Sequence, residues 1–486
     1  MLVTPIAQPD GTTRLGRLLL TDQVLGYGSH GTVVYRGTYD GREVAVKRLL
    51  RDFYDVAQHE VALLVESDDH YNVVRYYCKE QCDRFLYIAL ELCDCSLADV
   101  VEGTAAASGL GGEEIRNGWN PSRILYQVLS GLHHLHALKI VHRDLKPHNI
   151  LLVRNRRQVW NPAGARVLIS DFGLCKKLEL DQSSFGNTAT HNGGTFGWRA
   201  PELLTHPTAP TTFSSHSSID KPSSTTSPNS ASATASDMVS AVPNGSSTSS
   251  SVPRRRLTRA LDVFSLGCLF YYVLTGGEHP FGDRYSREIN ILRGQSDLSA
   301  LDTAMHADAP IARALVASMI AHDVAARPTT AQLLVHPFFW TPARRLNFLA
   351  DVSDRFEVET KDPPSPLVQR LESGAELVVE GDWTARIDRS LANNLGKFRK
   401  YRGESVVDLL RGLRNKKHHY ADLPPAVRRA LGPLPDGFLQ YFTDRFPNLF
   451  LHVYGVVRDT PELLADSLLG GYFSSEPDEA RGSFPV

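Results

Sequence analysis

The 486-residue chain reads as an α+β unit followed by an all-α extension, and three observations lead there. From Val24 the sequence alternates as two strands about a glycine turn, VLGYGSHGTVVYRG, and resumes as EVAVKRLL after the turn residues Asp40 and Gly41. From Ile124 the apolar residues Ile124, Val128, Leu132 and Leu135 recur near the helical period. Beyond His336 the remaining chain, roughly one small domain's worth, shows further helical periods and few strand signals. A prior of roughly 150 residues per domain suggests about three folding units.

Composition narrows the function classes. A formal net charge of -2 gives no argument for a general polyanion binder, so any nucleic-acid contact must come from a local basic patch. Cys78, Cys82, Cys93, Cys95, Cys175 and Cys268 lack paired zinc spacing, and a reducing compartment is the expected setting. The longest apolar run, Leu266 to Leu274, is well short of the roughly 18 residues that cross a bilayer, and the start MLVTPIAQPDGTT has no signal-peptide pattern. The chain alone is therefore expected to be soluble.

The most informative stretch is Val141 to Leu152, VHRDLKPHNILL, a polar cluster between apolar runs expected to form neighbouring strands. His142, Arg143, Asp144, Lys146 and Asn149 fit H-R-D-L-x-x-x-N, in which the Asp takes the proton of the accepting hydroxyl and the Asn holds magnesium. Here the chain resembles the protein kinases. Gly26, Gly28 and Gly31 form a G-x-G-x-x-G that a strand follows, where a dinucleotide fold needs a helix. Lys47 in VAVK fits the lysine of the ATP α- and β-phosphates, and Glu60, in HEVALLVES, is the candidate to hold it. After FLYIALEL, Leu90 and the stretch Glu91 to Cys93 resemble the adenine-binding linker.

In the second lobe, His133, His134 and His136 invite a metal reading, but core packing of their helix is preferred because no acidic or cysteine partners accompany it. Asp171, Phe172 and Gly173 match D-F-G, so Asp171 and Asn149 are the expected magnesium ligands. The segment before Ala200, Pro201 and Glu202 is rich in hydroxyls; Ser183, Ser184, Thr188 and Thr190 are candidate phosphosites, and a phosphate there would pair with Arg143. Residues 206–253, dominated by Ser, Thr, Pro, Ala and Asn, read as a disordered insertion. Asp262 is expected as scaffold, and Arg327 as the structural partner of Glu202.

In the extension, Thr341 to Phe356 reads as an amphipathic helix, and Ser405 with Asp408 as a capping box before a helix that buries Val406, Leu409, Leu410 and Leu413. Arg414 and Asn415 are expected at the end of that helix. Lys397, Arg399, Lys400, Tyr401 and Arg402 precede it; Lys416, Lys417, His418 and His419 are expected after it. Two basic clusters with an aromatic and histidines suit gripping a phosphodiester and moving protons.

DRFE (354–357), Asp388, KFRKY, RNKKHHY, the Leu423–Pro424 pair and YFTDRFP (441–447) make the extension similar to the kinase-extension nuclease of the inositol-requiring kinase/endoribonuclease family, the unfolded-protein sensors of the endoplasmic reticulum. The oligoadenylate-dependent ribonuclease shares that domain, but the intact D-F-G and the lack of ankyrin-like repeats favour the first. The resemblance implies an α+β bilobal protein kinase fold followed by an all-α kinase-extension nuclease domain. The divisions expected are a flank at 1–20, the kinase at 21–340, the nuclease at 341–475 and a flexible tail at 476–486.

It further implies ATP or ADP with Mg2+ at the kinase site and a metal-independent nuclease. There His419 is the general acid, Tyr401 the base or proton shuttle, and Arg414 and Asn415 the phosphate and transition-state contacts. The expected partners are an RNA stem-loop and a second copy of the chain, as a homodimer or higher oligomer. The expected setting is the cytosolic face of the endoplasmic reticulum, with membrane attachment only through parts absent from this chain, which is then a cytosolic fragment or truncated product. Two other readings stay open: an extension that is only a dimerisation or binding module, and a kinase that senses nucleotide without transferring phosphate.

Overall fold

The computed structural model describes residues 2–28, 31–104, 115, 118–154, 165–178, 194–204, 258–397 and 399–474. The phosphosite candidates Ser183, Ser184, Thr188 and Thr190, the 206–253 insertion and the 476–486 tail lie outside them.

The first lobe is built on a seven-stranded antiparallel sheet: β1 (Ile6–Ala7), β2 (Thr13–Leu15), β3 (Leu18–Tyr27), β4 (Val33–Tyr39), β5 (Arg42–Leu50), β6 (Tyr76–Gln81) and β7 (Phe85–Glu91), in the order β1-β2-β3-β4-β5-β7-β6. The expected flank, 1–20, contributes its first strands, because Leu15 and Leu18 are wholly buried in a small core with Val44, Val46 and Ala89. The Val3 amide donates to the Gln81 carbonyl at 2.8 Å, linking the two ends of the sheet. On β5, Lys47 pairs in register with Val34 on one side and Ile88 on the other. The Tyr54–Ser67 helix covers the sheet and buries Glu60.

The second lobe is helical. Pro121–Ala137 starts on an Asn120 side chain that accepts from the Arg123 amide at 3.1 Å, with Pro121 in the first turn, where a missing amide hydrogen costs nothing. Ala260–Thr275 contains the longest apolar run, and every residue from Leu261 to Leu274 is buried. A helix apolar on all sides belongs in a core, and this one ends at Gly276, which takes the left-handed conformation (φ 73°). Among the described residues no helix is long and apolar enough to cross a membrane.

The two apolar runs flanking the polar cluster are strands, but not neighbours. Ile140–Val141 pairs with Lys176–Lys177, whereas Ile150–Arg154 pairs with Ala165–Ile169 and with Cys95–Ser96 in a separate sheet. Alternation predicts a strand; it does not encode which partner supplies its hydrogen bonds.

The extension continues the core of the second lobe without a break. Trp340 packs edge-on against Phe348, Phe450 and Tyr454. The helix Pro342–Glu357, capped by Thr341, buries Leu346, Phe348, Leu349, Val352 and Phe356. Against it lies the helix Val406–His418, which buries Val406, Leu409, Leu410 and Leu413.

Candidate active sites

Between the lobes, the Lys47 ammonium lies 2.6 Å from Glu60 and 2.9 Å from Asp171. Burial alone would lower the Lys47 pKa, but the charges of Glu60 and Asp171 outweigh it and raise it above the ordinary value. Conversely the Lys47 charge holds the Asp171 carboxyl down at about 2 against its burial, so Asp171 is an anion at physiological pH. Asp144 is enclosed by donors. Its Oδ1 accepts from the Thr195 amide and hydroxyl, both at 2.7 Å, and its Oδ2 from Lys146 at 2.8 Å and the Asn149 amide nitrogen at 3.1 Å. That nitrogen also donates to the Asp144 carbonyl at 2.8 Å, which leaves the Asn149 amide oxygen as the atom suited to a cation. A carboxylate and an amide oxygen are hard donors, so Asp171 and Asn149 fit magnesium.

The loop that presents Asp144 is held by Asp262. One carboxylate oxygen accepts from His136 Nε2 at 2.9 Å and the His142 amide at 2.8 Å; the other accepts from the Arg143 amide at 2.8 Å. Arg143 and Asp171 have φ of 71° and 63°, a left-handed conformation that L residues adopt at a cost and that surrounding hydrogen bonds must hold. The histidine run does have acidic partners, contrary to the local reading: Asp262 for His136, and Asp69 for His134 at 3.4 Å. Both arrive from distant segments. Arg327 and Glu202 form the expected pair, with two N–H···O bonds of 2.7 and 2.9 Å.

The remaining nucleotide candidates fall on the same cleft elements. Gly26 is on β3, the Gly28 amide donates to the Thr32 carbonyl at 2.9 Å, and Gly31 takes φ 73° in the turn before β4. Glu91 ends β7, its side chain paired with Arg166, and the Cys93 thiol donates to the Glu91 carbonyl at 3.6 Å.

The second site is organised by the helix Val406–His418. Ser405 caps it by accepting from the Asp408 amide at 3.1 Å, but the reciprocal half of the expected capping box is missing. Asp408 turns instead to the Arg402 amide at 2.8 Å and the Arg411 guanidinium at 2.9 Å. Glu372 takes over the helix start, accepting from the Val406 and Val407 amides at 2.9 and 3.2 Å. A carboxylate is favoured there by the exposed amide hydrogens and the helix dipole.

The helix also runs further than expected. Arg414 and Asn415 are inside it, Lys416, Lys417 and His418 form its last turn, and His419 is its C-cap. Lys416 does not join a solvated basic turn: its ammonium is buried against Asn394 Oδ1 at 2.6 Å, and burial lowers its pKa. Cations are favoured at a helix C-terminus, which is why this charge run continues the helix.

The structure brings three of the four nuclease candidates into direct contact. Arg414 Nη2 and Nε donate to Asn415 Oδ1 at 3.1 and 3.4 Å, and Asn415 Nδ2 donates to the Tyr401 hydroxyl oxygen at 3.2 Å. The Tyr401 ring packs edge-on against the buried Trp383. His419 lies one helical turn beyond Asn415, and its side chain is 74% exposed, 3.6 Å from Asp422. Lys397, Arg399, Lys400, Arg402 and His418 are exposed around them.

Residues 19–218 match the protein kinase domain, and residues 345–467 match the Ribonuclease 2-5A family. The chain is 46% identical over 456 residues to a Schizosaccharomyces pombe protein named as a sensor for unfolded proteins in the ER, covering 94% of this chain and 39% of that one. It is 43% identical over 482 residues to the human serine/threonine-protein kinase/endoribonuclease IRE2, covering 98% of this chain and 45% of that one. The chain thus carries a protein kinase domain followed by a Ribonuclease 2-5A domain, and over nearly its whole length it is similar to the IRE1 kinase/endoribonucleases. A third relative, IRE1 of Hypocrea jecorina, is 48% identical over 441 residues, 90% of this chain and 33% of its own. The chain thus spans less than half the length of these relatives.

Several residues of these sites escaped sequence reasoning. Thr195, which bridges Asp144 and Lys146, was one hydroxyl among many in its segment. Glu372 and Asn394 are separated by 34 and 22 residues from the groups they hold, and nothing local marks them.

Proposed function

We propose that the chain is a bifunctional enzyme: a Ser/Thr kinase that phosphorylates a second copy of itself, and an endoribonuclease that cuts stem-loop RNA without a metal. The homodimer or higher oligomer required for the first step is also the form in which the nuclease sites pair. The setting is unfolded-protein signalling at the endoplasmic reticulum, by analogy with the Schizosaccharomyces pombe relative named as a sensor for unfolded proteins there, with this chain on the cytosolic face.

For the kinase, bound Mg-ATP supplies the transferable phosphoryl group. Lys47, held by Glu60, orients the phosphates; Asp171 and Asn149 would hold the cation; the backbone around Glu91 and Cys93 receives adenine. Asp144 takes the proton of the incoming hydroxyl, and Lys146 offsets charge beside it. Ser183, Ser184 and Thr188 are the proposed acceptors.

The nuclease reading rests chiefly on one observation, the hydrogen-bond chain from Arg414 through Asn415 to Tyr401. A donor directed at the phenol oxygen fixes the hydroxyl in place and leaves the phenol's own hydrogen free to move, which suits Tyr401 as base or proton shuttle. The RNA 2′-oxygen loses its proton toward Tyr401 and bonds to the adjacent phosphorus; the bond to the 5′-oxygen breaks, and His419 protonates that leaving oxygen. The products are a 2′,3′-cyclic phosphate and a 5′-hydroxyl. An imidazole can deliver a proton to the leaving oxygen, and the 74% exposure of His419 leaves it open to substrate. Arg414 and the exposed cations supply charge for the phosphorane.

End-group analysis of a cleaved stem-loop tests this: cyclic-phosphate and 5′-hydroxyl ends are expected, and 5′-phosphate ends would refute the mechanism. Transfer of labelled phosphate from ATP, lost in Asp144→Asn, is the parallel test of the kinase.

A further inference from the structure

The helix Pro342–Glu357 runs from the large lobe to the nuclease cluster. Near its start, Arg345 is fastened to the large lobe: Nε donates to the Pro337 carbonyl at 3.0 Å, Nη2 to the Phe338 carbonyl at 3.2 Å, and Nη1 pairs with Asp308. Its last turns bring two carboxylates to the nuclease cluster. Asp354 Oδ1 accepts from Arg414 Nη1 at 2.8 Å, and Glu357 Oε2 lies 2.8 Å from Arg411 Nε and 3.7 Å from Arg414 Nη2.

With Nη1 on Asp354, the Arg414 guanidinium has a fixed plane, and its Nε and Nη2 meet Asn415 Oδ1. That contact selects the amide orientation, because only the oxygen can face a guanidinium; the amide nitrogen is thereby directed at Tyr401. A planar, rigid fork transmits orientation in a way that a flexible ammonium cannot.

Resting on the nuclease reading, we infer that Asp354 is a positioning residue for RNA cleavage, holding Arg414 so that Arg414 fixes the Asn415 amide against Tyr401. The Asp354 side chain is 51% exposed, and an ion pair at such a site contributes little to folding. Its loss therefore affects the geometry of the cluster and not the stability of the chain.

The test is steady-state cleavage of an RNA stem-loop by the full chain carrying Asp354→Ala, Asp354→Asn, Arg414→Ala, and Asp354→Ala with Arg414→Ala. Misplacing a reacting group by a fraction of an ångström to one ångström lowers kcat by between about 10- and 100-fold. Asp354→Ala and Asp354→Asn are expected in that range, with KM within about twofold of wild type, an unchanged melting temperature, and no added loss when Asp354→Ala is placed on Arg414→Ala. Wild-type kcat in both Asp354 variants, or an undiminished Asp354→Ala effect in the Arg414→Ala background, overturns the inference while leaving the nuclease reading intact. Absence of cleavage by the unaltered chain removes both.

Discussion

The Asn415 amide nitrogen donates to the Tyr401 hydroxyl oxygen at 3.2 Å across a separation of fourteen residues. Tyr401 sits just before the helix that carries Asn415, and the contact holds the loop against it. Asn415→Ala removes the donor without opening the core, since Leu409, Leu410 and Leu413 stay buried. Loss of one donor placed for a developing negative charge costs roughly 100- to 1000-fold in kcat. RNA cleavage by Asn415→Ala is expected to fall in that range, and adding Tyr401→Phe should cost less than it does alone; full additivity would show that the two act separately.

Lys47, Glu60 and Asp171 form the corresponding unit in the kinase site. Glu60 is 1% exposed, and its charge is matched by Lys47. Glu60→Gln keeps the shape and removes the charge that fixes Lys47. Phosphate transfer from ATP should fall by roughly 10- to 100-fold, as expected for a misplaced phosphate-binding group. Transfer at the wild-type rate would show that Asp171 alone suffices to place Lys47.

Arg327 and Glu202 are a buried pair with no catalytic part in this account. The guanidinium is wholly buried, and Phe264 stacks beneath it with its ring centre 5.0 Å away. Removing one partner leaves a buried charge unmatched, at about 3 to 5 kcal/mol. Denaturant unfolding of Arg327→Ala should show a loss of that size, and Arg327→Lys should recover little, because an ammonium cannot make the two-pronged contact.

His279 gives the structure an acid limit. Burial, then the nearby Arg287 charge, holds its pKa down at about 3. An unfolded chain binds the proton near 6.5, so below that pH the unfolded state takes up more protons than the folded one. Stability from this group is complete above about 6.5 and is lost as pH falls toward 3, by roughly 1 kcal/mol at pH 5.5. His279→Gln should flatten the decline in melting temperature between pH 7 and 5.5 relative to wild type; an unchanged slope would place the acid sensitivity elsewhere.

Local pattern carried much of the architecture. The apolar spacing of Val406, Leu409, Leu410 and Leu413 gave the helix and its buried face, and the repeated order of Lys47, Asp144, Asn149 and Asp171 gave the cleft between the lobes. What local pattern could not carry was partnership across the fold. Glu372 replaces half of the Ser405–Asp408 box because tertiary packing brings a carboxylate to the helix start. Lys416 reads as a surface cation, yet Asn394 accepts it inside the domain. The Arg414 partner Asp354 stands sixty residues upstream, a distance at which only the packed structure shows the pairing.

On the proposed mechanism the extension cleaves RNA with its own side chains. Cleavage of a labelled stem-loop in excess EDTA, at a protein concentration that favours dimers, compares the chain with His419→Asn. Cyclic-phosphate products are expected from the wild type at an undiminished rate, with a reaction at least about 100-fold slower from the variant, the lower end of the range for a proton-transfer group. No cleavage by a wild-type chain that still binds nucleotide and dimerises would contradict it and leave the extension as a binding or dimerisation module.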